Sequence, residues 1–173
     1  TPRIVHGLGD VYPSLDKIKL MEKIQNILPS GLSKGSLSLS GAGAIEVALK
    51  TAVLATRRSK ILVFHKAYHG LDLGILGTTT RQEFCADFRD FIVHHNFIHA
   101  SFGSSISDIN KALTAKGAEA QDIAAVLVEP IQGRGGCHLP PAGWLESLRE
   151  FCSAHGSLLI MDEILTGFGR TGQ

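Results

Sequence analysis

The sequence predicts an α/β fold of three layers, α/β/α, in which helices cover both faces of a mainly parallel sheet. Strand-like apolar runs alternate with helical patterns along the 173 residues. The apolar runs are nearly continuous, which is typical of parallel strands that are buried on both faces. A chain of 173 residues is expected to form one domain.

The helices are predicted from the spacing of apolar residues and from residues that begin or end helices. Residues 15–28 place leucine, isoleucine and methionine on one helical face, and residues 42–57 are rich in alanine and leucine. Apolar residues mark a short helix over 106–113. A further helix opens at Pro141 and ends before Gly156, which sits where a C-cap glycine belongs.

Five segments are predicted as strands. The segment 73–79 is the weakest of them, because glycines interrupt it. In open parallel sheets, ligands bind beyond the carboxyl ends of the strands, so the residues at each strand's carboxyl end are the candidates for function. The five segments are 36–40, 60–65, 73–79, 124–129 and 157–162.

Composition excludes several classes of function. A net charge of +1 argues against nucleic-acid binding, and no apolar run is long enough to cross a membrane. Three cysteines without metal-ligand spacing indicate reduced thiols and a cytoplasmic protein. No metal site is expected, because no nearby carboxylate or cysteine completes the set of His94, His95 and His99.

Two segments rich in small or aromatic residues lie at the carboxyl ends of predicted strands. Residues 40–44, Ser-Gly-Ala-Gly-Ala, lead into a helix, where free N–H groups bind phosphate. A tight strand-to-helix turn explains this segment equally well. Residues 67–70, Ala-Tyr-His-Gly, can hold a flat ring against a ligand, although an aromatic core contact and a turn also account for them.

Two carboxylates end predicted strands. Glu129 follows an apolar run and precedes a loop with three glycines, and a partly buried carboxylate needs partners. Asp162 ends the last strand, where it can pair with a cationic ring nitrogen or with a nearby arginine.

The order of these four places, more than any one of them, indicates a ligand. A phosphate cradle, a stacking aromatic residue and two strand-end acids suit an aromatic, phosphorylated cofactor that contains nitrogen. Pyridoxal phosphate fits that description, because a buried aspartate keeps its pyridine nitrogen protonated.

These segments resemble the class III aminotransferases, which are fold-type I pyridoxal-phosphate enzymes. The resemblance spans nearly the whole chain and implies an incomplete aminotransferase large domain with a mainly parallel mixed sheet. Its two most specific motifs are residues 129–133 and 162–172. The matching segments are residues 6–13, 41–50, 68–70, 129–133 and 162–172.

The resemblance also implies roles for individual residues. Backbone N–H groups of Gly41 and Ala42 would bind the phosphate, while Tyr68 and Ile164 would cover the two faces of the pyridine ring. Asp162, paired with the pyridine nitrogen, and Glu129, near the cofactor's hydroxyl group, are the expected catalytic residues. The cofactor-binding residues it implies are Gly41, Ala42, Gly43, Tyr68, His69, Glu129, Asp162 and Ile164.

Three residues depart from the family pattern. Gly43 stands where the family usually has glutamate, and Leu165 where many members have glutamine. Arg134 stands where ornithine- and aminobutyrate-type members carry glutamate. A cation at position 134 suggests a substrate with an acidic group.

The function that the resemblance implies is transfer of an amino group from an amine or amino acid to a keto acid, in a homodimer. The Schiff-base lysine and the small C-terminal domain of the family have no match in residues 1–173, so we expect a fragment that is inactive by itself. Two alternatives stay open. One is a sister reaction, namely an aminomutase, racemase or decarboxylase; the other is a non-catalytic remnant that binds a phosphorylated ligand or a partner chain.

Overall fold

A computed structural model describes residues 12–93 and 96–172 of the chain. The chain divides into two compact units, residues 1–37 and residues 38–173. No helix within the described ranges is long and apolar enough to cross a membrane. The matching segment 6–13 lies largely outside the described residues, as do His94 and His95.

The first unit contains helix α1, Leu15–Gln25. Its first turn is capped by the Ser14 hydroxyl, which accepts a hydrogen bond from the Lys17 N–H group at 3.3 Å. None of its residues is buried, although the apolar spacing correctly predicted a helix here.

The second unit contains the sheet and four helices. The strands are β1 (Lys60–Phe64), β2 (Phe97–Ala100), β3 (Ile123–Val128) and β4 (Leu158–Met161). The helices are α2 (Gly41–Thr56), α3 (Gln82–Cys85), α4 (Ile106–Ala115) and α5 (Trp144–His155). Short 3-10 helices cover Leu76–Thr78, Ala86–Phe91 and Ala120–Asp122.

The four strands lie in the order β2-β1-β3-β4, and each neighbouring pair is parallel. Side chains of one strand alternate between its two faces, so β1 contributes to both sides of the sheet. Ile61 and Val63 pack with α2 residues on one side, whereas Leu62 and Phe64 pack with α4 and α5 residues on the other. The structure therefore confirms the predicted three-layer fold with a mainly parallel sheet.

Two predicted strands are wrong. Residues 36–40 pair with no strand in the described part of the chain, and Ser40 instead caps α2 through a hydrogen bond from the Gly43 N–H group. Residues 73–79 form a turn and a 3-10 helix, and glycine at position 77 lets this turn lie against Phe97, since a Cβ atom there would lie 2.4 Å from the Phe97 ring. Local alternation of residue types did not reveal that these segments lack a partner strand.

Helix α5 begins later than predicted, and one strand was not predicted at all. The chain turns after Pro141, and Gly143 adopts a left-handed conformation with φ 75° before the helix starts at Trp144. Gly156 ends α5 as expected, also with positive φ. Strand β2 has only four residues, of which His99 is polar, so it lacks the continuous apolar run that marked the other strands.

A buried histidine in β2 is expected to make the stability of the protein depend on pH. Burial, with the nearby His65 and Lys116, lowers the pKa of His99 from 6.5 to about 4. The Nε2 atom of His99 is buried without a hydrogen-bond partner among the described residues, and its ring stacks on the His65 ring at 5.7 Å.

Because the pKa of His99 is lower in the folded state, only the unfolded state takes up this proton between pH 6.5 and pH 4. Stability is therefore expected to fall by up to about 3 kcal/mol as the pH drops through that window. Urea unfolding of the wild type and of His99→Asn at pH 7 and pH 4.5 tests this. The variant should lose less stability on acidification; equal losses would contradict the prediction.

Candidate functional site

A cavity of about 380 Å³ lies at the carboxyl ends of β1, β3 and β4. Because these strands are parallel, the residues that follow them meet at one edge of the sheet. The first residues of α2 complete the wall. The lining residues are Gly41, Ala42, Tyr68, His69, Gly70, Leu71, Glu129, Ile131, Arg134, Asp162, Ile164 and Leu165.

Asp162 directly follows β4 and is 5% exposed. Its N–H group continues the ladder by donating to the Val128 carbonyl at 2.8 Å. One carboxylate oxygen, Oδ1, accepts a hydrogen bond from the Ile164 N–H group at 3.1 Å, and the other lies 2.6 Å from His69 Nδ1. The carboxylate is thus held in one orientation from two sides.

His69 is the buried partner of this acid, with 1% exposure. The His69 Nδ1–H group donates to the Asp162 carboxylate in a short, charge-assisted hydrogen bond. The remaining ring nitrogen, Nε2, has no partner in the described residues. His69 therefore orients Asp162, a role beyond membership of the ring-stacking segment that was predicted for it.

Glu129 directly follows β3 and joins two loops at the cavity. Its Oε2 accepts a hydrogen bond from the Tyr68 N–H group at 3.1 Å, and its Oε1 accepts one from the Gly133 N–H group at 3.3 Å. Burial raises the pKa of Glu129, while these two donors and the nearby His69 oppose that shift.

The first turn of α2 presents free donors to the cavity. The N–H groups of Gly41 and Ala42 have no acceptor in the described residues, as expected at a helix N-terminus. Gly43 does not line the cavity, and its N–H group donates to Ser40 Oγ at 3.0 Å. A Cβ atom at Gly41 would lie 2.7 Å from Ile164 Cδ1, so glycine lets the wall residues approach closely.

Two hydrophobic side chains after β4 and one aromatic side chain after β1 also contribute to the wall. Ile164 and Leu165 are about half exposed, at 54% and 53%, and line the cavity. The Tyr68 ring packs edge-on against Phe84 at 6.2 Å. The structure thus brings together seven of the eight predicted site residues and places Gly43 just outside them.

The sequence indicated that the loop after Glu129 approaches another segment and that Arg134 bears on the substrate, but it did not reveal the contacts that this loop makes. Gln132 is 1% exposed, and its amide donates to the His65 carbonyl at 2.9 Å. The guanidinium of Arg134 lies over the Tyr68 ring, 4.1 Å from its centroid. The glycines of this loop correctly indicated a close backbone approach, since a Cβ atom at Gly135 would lie 2.7 Å from the Lys66 carbonyl oxygen.

A group of three or more metal-ligating side chains is absent from residues 12–93 and 96–172. Cys85 and Cys152 are buried and Cys137 is exposed, all as free thiols.

The family model for aminotransferase class III matches residues 3–173. The chain belongs to the class III aminotransferases. The acetylornithine aminotransferase of Methanopyrus kandleri is 34% identical over 171 residues, which cover 99% of this chain and 41% of that protein. The aminotransferase PigE of a Serratia species is 35% identical over 155 residues, or 90% of this chain and 17% of that protein.

Solved structures of aminotransferases share the fold. The adenosylmethionine-8-amino-7-oxononanoate aminotransferase of Methanocaldococcus jannaschii is 28% identical, with a TM-score of 0.85 over 98% of this chain and 40% of that one. The ornithine aminotransferase of Toxoplasma gondii, whose active site is partly occupied by pyridoxal phosphate, is 30% identical, with a TM-score of 0.67 over 78% of this chain and 32% of that one. The chain therefore spans about two fifths or less of these relatives.

Proposed function

We propose that this chain is the cofactor-binding part of the large domain of a pyridoxal-phosphate-dependent aminotransferase. The full protein would exchange an amino group between an amine or amino acid and a keto acid. The main support for the proposal is Asp162, a buried carboxylate that directly follows β4 and lies 2.6 Å from His69 Nδ1. Membership of the class III aminotransferases supports both the cofactor and the reaction class.

The residues of the cavity fit the chemistry of pyridoxal phosphate. Free N–H groups at the N-terminus of α2 suit a phosphate, and the absence of a side chain at Gly41 lets Ile164 pack against the start of this helix. Ile164 and Tyr68 offer an apolar and an aromatic surface for a flat ring. Asp162 suits a protonated pyridine nitrogen. When bound, the cofactor would supply an electron sink for the substrate carbon that loses a proton.

In this proposal, three residues of the chain have defined tasks. Asp162 keeps a proton on the ring nitrogen, and His69 holds the Asp162 carboxylate in place. Glu129 fixes the loops that carry Tyr68 and Gly133, so it orders the site beside the ring's hydroxyl group. These are tasks of binding and orientation, and the proton acceptor at the substrate carbon is assigned to the Schiff-base lysine of the family, elsewhere in the full protein.

The proposal includes a homodimer in the cytoplasm, on the basis of family resemblance. Exposed apolar side chains that a partner or further chain would cover support it, among them Leu39 at 109% and Phe168 at 85% exposure. Sedimentation of the full-length protein tests this part of the proposal, because a monomer at micromolar concentration would contradict it.

Titration with pyridoxal phosphate, followed by borohydride reduction and peptide mapping, tests the proposed function. We expect one specifically modified lysine in the full-length protein and none in the isolated 173-residue chain. We also expect the full-length protein to catalyse transamination and the isolated chain not to do so. Turnover by the isolated chain would show that the assignment of the Schiff-base lysine is wrong. If the full-length protein neither bound the cofactor nor catalysed transamination, the proposed function would be wrong.

A further inference from the structure

We propose that Arg134 binds the carboxylate of the substrate, so that the site takes amino acids and keto acids in preference to amines without an acidic group. This inference rests on the proposed function, because it names the substrate class of the same cavity.

The side chain of Arg134 is held over the cavity by an aromatic ring. Its guanidinium carbon lies 4.1 Å from the centroid of Tyr68, within the range of a cation–π contact. The Tyr68 ring is itself supported edge-on by Phe84 at 6.2 Å, and the Tyr68 N–H group is tied to Glu129. The guanidinium therefore rests on a fixed surface.

The backbone around Arg134 is also fixed. The guanidinium of Arg81 donates a hydrogen bond to the Arg134 carbonyl, and the preceding residue, Gly133, donates to Glu129 at 3.3 Å. The loop closes where Gln132 and His138 exchange backbone hydrogen bonds of 3.0 and 3.1 Å. An arginine that is positioned before its ligand arrives loses less side-chain entropy on binding.

The guanidinium of Arg134 keeps its donors available. Within residues 12–93 and 96–172, no carboxylate lies within ion-pair distance of it, and it donates no hydrogen bond. The acidic partners of the ion pairs described there are Glu46, Asp122, Asp162 and Asp108, which bind lysines or a histidine. An arginine whose planar guanidinium has unpaired N–H donors is suited to a carboxylate, which it binds with two parallel hydrogen bonds.

Charge is arranged across the cavity so that it orients a substrate. Glu129 and Asp162 are buried at 4% and 5% exposure, whereas Arg134 is exposed at the rim. A substrate with an amino group and a carboxylate gains most when its carboxylate lies at Arg134 and its amino group points inward. An amine without a carboxylate gains nothing from Arg134.

The test compares donors that differ by one carboxylate, in the full-length protein with cofactor. The pairs are 5-aminopentanoate with pentylamine and 2-aminopentanoate with butylamine. For the wild type we expect the acid of at least one pair to be preferred. In Arg134→Gln the ratio of kcat/KM for acid over amine should fall roughly 10- to 100-fold, mostly through KM.

Two further variants sharpen the comparison. Arg134→Lys keeps the charge without the planar fork and should retain part of the preference. Arg149→Gln removes the same charge from the exposed surface of α5, outside the cavity, and should leave the ratio unchanged. An equal loss in Arg149→Gln would mean that net charge, and not position, sets the preference, which would overturn the proposal.

A binding measurement does not depend on the cofactor or on turnover. Nuclear magnetic resonance of the full-length apoprotein should show a saturable shift of the Arg134 Nε–H signal on titration with glutarate, and the same shift should persist in Arg149→Gln. Absence of the shift in the wild type would overturn the proposal.

If the wild type transaminates but both donors of each pair lose activity equally in Arg134→Gln, this inference fails while the proposed function stands. If the wild type transaminates no donor, the proposed function fails, and the glutarate titration still decides the assignment of Arg134.

Discussion

Replacement of Asp162 by asparagine is expected to lower the kcat of the full-length protein by roughly 100- to 1,000-fold, the loss typical of removing one positioned electrostatic group. Asparagine has nearly the same shape and can still accept the hydrogen bond from the Ile164 N–H group. It carries no negative charge, so it cannot keep a pyridine nitrogen protonated. Steady-state kinetics with saturating pyridoxal phosphate measures the effect.

The neighbouring carboxylate provides a matched control for this variant. Glu163 is exposed and does not line the cavity, so Glu163→Gln removes one negative charge next to the site without touching it. We expect near wild-type kcat from Glu163→Gln, and far-ultraviolet circular dichroism should show that both variants are folded. Full activity of Asp162→Asn would mean that the role assigned to Asp162 is wrong.

Replacement of Gly70 by alanine is expected to destabilise the protein by about 3 kcal/mol or more. Gly70 has φ 116°, a conformation that side chains rarely allow, and an added Cβ would lie 2.5 Å from the Ala42 Cβ and 3.0 Å from the Ala42 Cα. The substitution would therefore push the loop after β1 away from the start of α2. Urea unfolding measures the free energy of unfolding.

Two variants separate the clash at Gly70 from its backbone strain. Gly143 has φ 75° and open space around it. Gly143→Ala therefore measures the effect of a left-handed backbone without a steric clash, and it should lower the free energy of unfolding by about 1 kcal/mol. The double variant Ala42→Gly with Gly70→Ala removes the closest contact and should recover part of the loss. No recovery would show that the contact with Ala42 is not the source of the cost.

The same variant should also weaken the cofactor site. Tyr68 and His69 directly precede Gly70 in the loop after β1, and Gly41 and Ala42 begin the helix that Gly70 contacts. Weaker binding of pyridoxal phosphate by folded Gly70→Ala, measured by absorbance titration of the full-length protein, is the expected consequence.

The strands and helices that could be predicted from the sequence are those with strong local signals. Strands β1, β3 and β4 are continuous apolar runs, and burial on both faces of a parallel sheet selects such runs. Gly156 ended α5 as predicted, because an exposed left-handed turn is a local property of glycine. Strand β2 and the segments 36–40 and 73–79 were mispredicted, since pairing with a distant strand decides whether so short a segment joins a sheet.

The positions of the acids were predictable, but their partners were not. Glu129 and Asp162 end apolar runs, and the ends of parallel strands meet at one edge, so both were expected at a common site. The contact of Asp162 with His69 joins residues that are 93 positions apart. Nothing in the spacing of residues indicates a hydrogen bond across such a distance.

The sequence by itself determined the layered fold, the family, and which acids and glycines surround the cavity, because these depend on hydrophobic patterns and on motifs read along the chain. Only the tertiary structure decided that His69 holds Asp162, that Glu129 joins two loops, and that Arg134 lies on Tyr68. Those contacts depend on how the carboxyl ends of β1, β3 and β4 are set side by side. Their geometry comes from the packing of the sheet between its helices, and local sequence does not contain it.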